Sequence, residues 1–239
     1  MSWLARLFRP QVEMSPGLAG RVREWRERPA VGEKTPLAEA RFIVVDVETS
    51  GLDTRKDRLL SVGAVTVESL RLDTGLSYET ILRRDERSER ENILIHGIGP
   101  QAQAAGEEPE EVLMQFLEFA GKFPLVAFHA PFDRTMLDRD LRETLGVRLP
   151  NSWIDLAPLA PALVPESRLP RAGLDEWLAY FGLRAHARHR AVDDAMATGE
   201  LFLILLKRAL AGGLDTVGSL LAVAEAHQRK LQGGGFGGA

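Results

Sequence analysis

The stretch Phe42-Ile43-Val44-Val45-Asp46-Val47-Glu48 constrains the fold more than any other part of the chain. Its opening run of four apolar residues, three of them β-branched, calls for burial on both faces, as in the central strand of a sheet covered by helices. Two carboxylates stand where that strand ends. Successive side chains of a strand point to opposite faces, so Asp46 and Glu48 share one face while Val45 and Val47 take the other. A carboxylate at a buried strand end is costly unless something compensates it, and a salt bridge or a helix N-terminus would do so in an ordinary structural role.

The remaining pattern surrounds this strand with familiar elements. Residues 1–40 are rich in Arg, Glu and Pro and carry only a weak apolar stripe, which predicts an N-terminal arm with a short peripheral helix around residues 18–28. The folded domain is expected over 41–211. Residues 59–67 and 76–82 read as strands, with Leu72-Asp73-Thr74-Gly75 as the turn between them, so the first three strands form a meander. Helical spacing covers 109–120, 133–145, 174–181 and 192–210, while 125–128 and 153–155 read as short strands. Residues 212–239 are expected to hold a C-terminal helix, over 214–232, and a flexible Gly-rich tail. A meander followed by alternating strands and helices implies an α/β fold, a five-stranded mixed sheet flanked by α-helices.

Composition narrows the chemistry. The 239 residues include no cysteine, which removes disulfides, thiol catalysis and cysteine-ligated metal centres, and fits a reducing cytoplasm. Any metal must be held by oxygen or imidazole. The longest apolar runs, such as 201–206, are far too short to span a bilayer, and the N-terminus lacks the pattern of a secretory signal. A formal net charge of −4 argues against a protein that coats nucleic acid electrostatically, because such binding draws on many Lys and Arg contacts to phosphates. A small charged cleft escapes that objection.

Two further segments carry acids in suggestive places. Asp133 follows the fourth predicted strand directly, in Phe128-His129-Ala130-Pro131-Phe132-Asp133, where Asp would also serve as a helix N-cap. Asp194 lies near the start of a long helix, five residues after His189, in His189-Arg190-Ala191-Val192-Asp193-Asp194. In this order the three segments resemble the motifs of the DEDDh family of 3′→5′ exonucleases, over about residues 41–211. The resemblance implies a ribonuclease H-like fold, with Asp46, Glu48, Asp133 and Asp194 as metal-binding carboxylates and His189 as general base. Asp193 rivals Asp194, and the family interval between His and Asp selects Asp194. The same resemblance nominates Thr49, Leu52, His96 and His129 as substrate contacts. Leu52 could equally pack on the core, and His96 could be structural, since Gly99 stands where the family commonly has Thr. The family often reads His-Asn where this chain has Phe128-His129, a departure that bears on His129 and leaves Asp133 untouched. Arg184, Arg188 and Arg190 flank His189 and are candidate phosphate contacts or a solvated arginine loop.

The chemistry accounts for these residue types. Phosphodiester hydrolysis drives a nucleophile onto an anionic phosphate while the departing 3′ oxygen gains charge, and two divalent ions about 3.5–4 Å apart can stabilise both oxygens. Mg²⁺ or Mn²⁺ prefers hard oxygen ligands, and four carboxylates balance two such ions. Without metal the acids repel one another, so raised carboxyl pKa values are expected. The implied partners are single-stranded DNA or RNA 3′ ends, DNA being favoured, and a DNA polymerase subunit. RNA trimming and a non-catalytic docking module are the alternatives. The run Gly233 to Gly238 satisfies the dinucleotide-binding glycine pattern only formally, since it follows no strand and opens no helix.

Overall fold

The structure is a computed structural model that describes residues 12–85, 90–184 and 189–233. The first strand, β1 (Arg41–Thr49), is the middle strand of the sheet. It pairs antiparallel with β2 (Leu59–Glu68), which pairs antiparallel with β3 (Arg71–Ile81). On its other side β1 runs parallel to β4 (Leu125–Ala127), and β4 runs parallel to β5 (Trp153–Asp155), giving the order β3-β2-β1-β4-β5. This is the mixed five-stranded sheet expected from the pattern.

Period-two alternation in β1 divides the core. Ile43, Val45 and Val47 pack with α4 (Pro109–Ala120) and α5 (Pro131–Leu145), whereas Phe42 and Val44 pack with α8 (Ala191–Ala211). Phe42 meets Phe202 of α8 edge-on, with ring centroids 5.0 Å apart. The stripe in the N-terminal region is weak but sufficient: α1 (Pro16–Glu27) buries Leu18, Val22 and Trp25 against α4. Each side chain of that size contributes roughly 2 kcal/mol on burial. Arg21 reinforces the contact by donating to Glu111 and Glu118 at 2.7 and 2.8 Å. At the far edge α9 (Val217–Gly233) packs on β5 and on α6 (Leu156–Leu163), a helix the periodicity did not announce because two prolines interrupt it. Two further short helices not expected from the pattern, α2 (Arg90–His96) and α3 (Pro100–Ala104), precede α4, and α7 (Leu174–Tyr180) packs on α8. The glycine tail expected after α9 falls almost wholly outside the described residues.

Two local expectations need correction. The chain reverses between β2 and β3 at Ser69-Leu70, both with positive φ (50° and 57°), and not at 72–75. Neither residue is a usual αL former, so the turn carries no composition signal. The Asp73-Thr74-Gly75 segment is instead a bulge inside β3, where Thr66 pairs with Asp73 and Val65 with Ser77, and where Gly75 N–H donates to Asp73 Oδ1 at 2.9 Å. Likewise Ala130, not Asp133, is the N-cap of α5, so Asp133 stands within the first turn. Among the described residues no helix is long and apolar enough to cross a membrane.

Candidate active site

The alternation that buries Phe42 and Val44 under α8 sends Asp46 and Glu48 to the same side at the end of β1. α8 begins there, and Asp194 lies in its first turn. One carboxylate oxygen from each of Asp46, Glu48 and Asp194 falls within 4.8 Å of the other two. Unit charges that close repel by on the order of 3 kcal/mol per pair at an effective dielectric constant near 20, a repulsion that a cation placed among them would relieve.

Glycine makes the approach possible. Gly63 of β2 lies opposite Asp46, and a Cβ there would sit 2.1 Å from the Ala191 carbonyl carbon and 2.2 Å from Val192 N. The first turn of α8 therefore rests directly on the β2 backbone, which no other residue at position 63 would allow without displacement.

Asp133 arrives from the opposite face. It belongs to α5, on the Val45 and Val47 side, and stands outside the group of three. Burial, with Asp155 and Glu48 nearby, pushes its carboxyl up to about 8, against the pull of its own N–H and that of Val47. This is the raised carboxyl pKa expected of an acid in the site without metal.

The imidazoles flank a cleft of about 850 Å³ lined by Glu48, Ser61, His96, His189 and the exposed Leu94 and Ile95 of α2. His189 is exposed, holds a left-handed φ of 66°, and donates its backbone N–H to Asp194 Oδ2 at 3.0 Å. The residue thus grips the cluster through its backbone and leaves its ring to the cleft. His96 is only 7% exposed and its Nδ1 accepts from Ile98 N–H at 3.0 Å. In the neutral ring that bond places the proton on Nε2, which has no hydrogen-bond partner among the described residues. Burial and nearby His189 both lower its pKa, so the neutral form is favoured.

The other nominated residues fall into separate places. Thr49 is buried, and its hydroxyl donates to Gly51 O at 2.7 Å. Leu52 does not pack on the core; it is 84% exposed. His129 lines a different groove, beside Phe132 and Arg171, and donates its N–H to Asp155 Oδ1 at 3.0 Å. Arg190 pairs with Glu79 at 2.7 Å and with Asp193 at 3.5 Å, and Arg188 lies outside the described residues. Asp155 went unnoticed in the sequence, although it ends a short strand much as Asp46 does. Its carboxylate also accepts from Ala157 N–H at 3.0 Å, and burial pushes its pKa up. Gly63 carried the only other signal, an isolated glycine in a strand.

A mixed sheet in this order, with an acidic cluster at the end of its first strand, is the architecture of a ribonuclease H-like nuclease. The profile of the exonuclease family matches residues 43–202, and the chain belongs to that family. It is 32% identical over 203 residues to a DNA polymerase III subunit epsilon-like protein of Rhodobacter capsulatus, covering 83% of this chain and 28% of that protein. Identity to the PolC-type DNA polymerase III of Thermotoga maritima is 30% over 173 residues, 72% of this chain and 12% of that polymerase. The chain therefore spans only a small part of these longer relatives. Among solved structures, Escherichia coli exonuclease I in complex with a dA16 oligonucleotide superposes with a TM-score of 0.63 at 20% identity, over 72% of this chain and 42% of that one. Exonuclease X in complex with 5′ overhanging duplex DNA gives 0.61 at 21%, over 77% and 99%. These two likenesses speak for the fold.

Proposed function

We propose that this chain is a 3′→5′ exonuclease that removes nucleoside 5′-monophosphates from the 3′ end of single-stranded nucleic acid, with DNA as the favoured substrate. The observation that carries the reading is the convergence of Asp46, Glu48 and Asp194 beside His189 in a domain of the exonuclease family. The donor set fits Mg²⁺ or Mn²⁺, being all carboxylate oxygen, with no cysteine in the chain. Asp46, Glu48 and Asp194 would hold the ions, with Asp133 reached from the far side of β1. When bound, a pair of such ions supplies positive charge to the attacking and departing oxygens.

The protein's own groups do the rest. His189 takes a proton from the attacking water as its oxygen bonds to phosphorus. The bond from phosphorus to the 3′ oxygen of the preceding nucleotide breaks, and that oxygen leaves as a new 3′ hydroxyl after protonation from solvent. His96 donates from Nε2 to an oxygen of the terminal nucleotide, a bond its fixed tautomer permits at neutral pH. Thr49 shapes the loop that carries Leu52, and His129 meets the strand further from the scissile bond. Two relatives bear DNA polymerase III names, and a polymerase in the cytoplasm is the protein partner this reading favours.

The test uses 5′-labelled single-stranded DNA and RNA oligomers incubated with the protein in magnesium, manganese or chelator. A DNA ladder shrinking from the 3′ end, absent in chelator, is expected. Faster loss of RNA would reassign the sugar preference, and inertness with every metal would leave the fold a docking module.

A further inference from the structure

We propose that Asp57 and Arg139 are positioning residues that hold Leu52 as a rigid apolar finger for the base of the terminal nucleotide, an inference that rests on the exonuclease reading above. Among the described residues Leu52 is the most exposed of the large apolar side chains, at 84%, and it sits in the loop leaving the acid-bearing end of β1. An exposed loop of this kind is ordinarily mobile and pays an ordering cost when it closes on a ligand. Here the residues on both sides of Leu52 are pinned.

Before it, Gly51 O accepts from Thr49 Oγ1 at 2.7 Å, and Ser50 O accepts from Asn92 of α2, the helix that walls the cleft. After it, Asp53 N–H donates to Asp57 Oδ2 at 2.7 Å. The same carboxylate reaches Ser50 through Oδ1, which accepts from Ser50 Oγ at 3.2 Å, so one side chain ties both limbs of the loop together. Gly51 is required for this: a Cβ would lie 2.5 Å from Asp57 Oδ2. Arg139, from α5, then fixes the brace to the body of the protein by donating to Thr54 O at 2.6 Å and to Asp57 O. Its side chain is 12% exposed, so these bonds are sheltered from water. Among the described residues, none of these bonds involves Leu52 itself. The loop is thus ordered in advance around a leucine that stays in solvent, so a ligand meeting Leu52 has little further ordering to cause.

A purely structural brace and a positioning brace differ in their coupling to Leu52. The experiment measures binding of a short 5′-fluorescent single-stranded DNA oligomer with a free 3′ end by anisotropy, in calcium so that the oligomer survives, for wild type, Leu52→Ala, Asp57→Ala and the double variant. Arg139→Gln serves as an independent break of the brace, and amide exchange over residues 51–57 reports the loop directly. Leu52→Ala, a surface change, is expected to weaken binding about tenfold, Asp57→Ala to match it, and the double variant to be no weaker than either. Exchange over 51–57 should quicken in Asp57→Ala and Arg139→Gln and stay unchanged in Leu52→Ala. Additive losses, or wild-type binding by Asp57→Ala, would overturn the positioning role while leaving the nuclease intact. End binding with coupled losses but no cleavage in magnesium would support the finger and remove the exonuclease reading. Failure of the wild type to bind the oligomer would defeat both.

Discussion

Asp194 and Asp133 look alike in isolation and differ in what surrounds them. Each is an aspartate in the first turn of a helix, and each is nearly buried, at 7% and 5% exposure. Asp194 belongs to the α8 face of β1, where Asp46 and Glu48 already project, and its carboxylate is engaged by the His189 N–H. Asp133 comes from the α5 face and meets the β1 backbone at Val47, with acidic Asp155 and Glu48 as neighbours. One acid accepts a backbone N–H within a cluster, and the other is pressed by burial towards its neutral form. A site of this design has a finished half and a half that becomes ionised when positive charge arrives.

The finished half should break most completely. Asp194→Asn keeps the shape of the side chain and removes its charge, so cleavage of a single-stranded oligomer in magnesium should fall by about 10²- to 10³-fold, the scale for losing a charge-stabilising group. Wild-type rates in that variant would show the cluster to be structural. Gly63→Ala attacks the same half without touching an acid. Its methyl must push the α8 N-terminus off β2, moving Asp194 and His189 together, and misplacement by about 1 Å costs about 10²-fold in rate. Thermal unfolding of that variant should separate a shifted helix from an unfolded protein.

The two halves were also unequally visible in the sequence. Asp46 and Glu48 were legible because a strand has an integer period, so two acids at i and i+2 share a face whatever the rest of the fold does. Their meeting with Asp194 depends on α8 resting on β2, a tertiary fact set by Gly63, and only the family motif anticipated it. The separation of Asp133 and His129 from the cleft was not legible, since it turns on which face of β1 receives α5. Asp57 gave no signal beyond being one acid in a polar loop. Where the sequence misled, as at Ser69-Leu70, a left-handed turn had been built from residues that do not advertise one.

The unfinished half makes a prediction of opposite sign. With its folded pKa raised from the ordinary 3.8 to about 8, Asp133 contributes stability in full below about pH 4, and that contribution is lost as pH climbs through 8. Asp140 and Asp155, both shifted upward by burial, act in the same direction. His96, shifted downward by burial, opposes them only as pH falls below its ordinary 6.5. In chelator the unfolding midpoint should therefore drop between pH 5 and 8, and Asp133→Asn should flatten that slope and raise the midpoint at pH 8 by about 5 °C. Saturating magnesium should restore the wild type, because binding to the folded state alone adds stability. A midpoint at pH 8 that Asp133→Asn leaves unchanged would mean the buried acid is relieved by something other than a cation.

The smallest effect concerns the anchor of the finished half. Arg190, the N-cap of α8, pairs with Glu79 of β3 and follows His189 directly, so the pair ties the segment bearing the imidazole to the sheet. Arg190 and Glu79 are both exposed, and an ion pair in such a setting contributes on the order of 0.2–1 kcal/mol. Glu79→Gln keeps the length of the side chain and one acceptor, and should lower the rate by roughly two- to fivefold at low salt, the range that energy converts to. Raising ionic strength screens an exposed pair, so wild type and variant should converge as salt increases. Convergence would mark Glu79 as an electrostatic anchor, whereas a loss that persists in high salt would mean that the carboxylate acts within the cleft it lines, on the substrate itself.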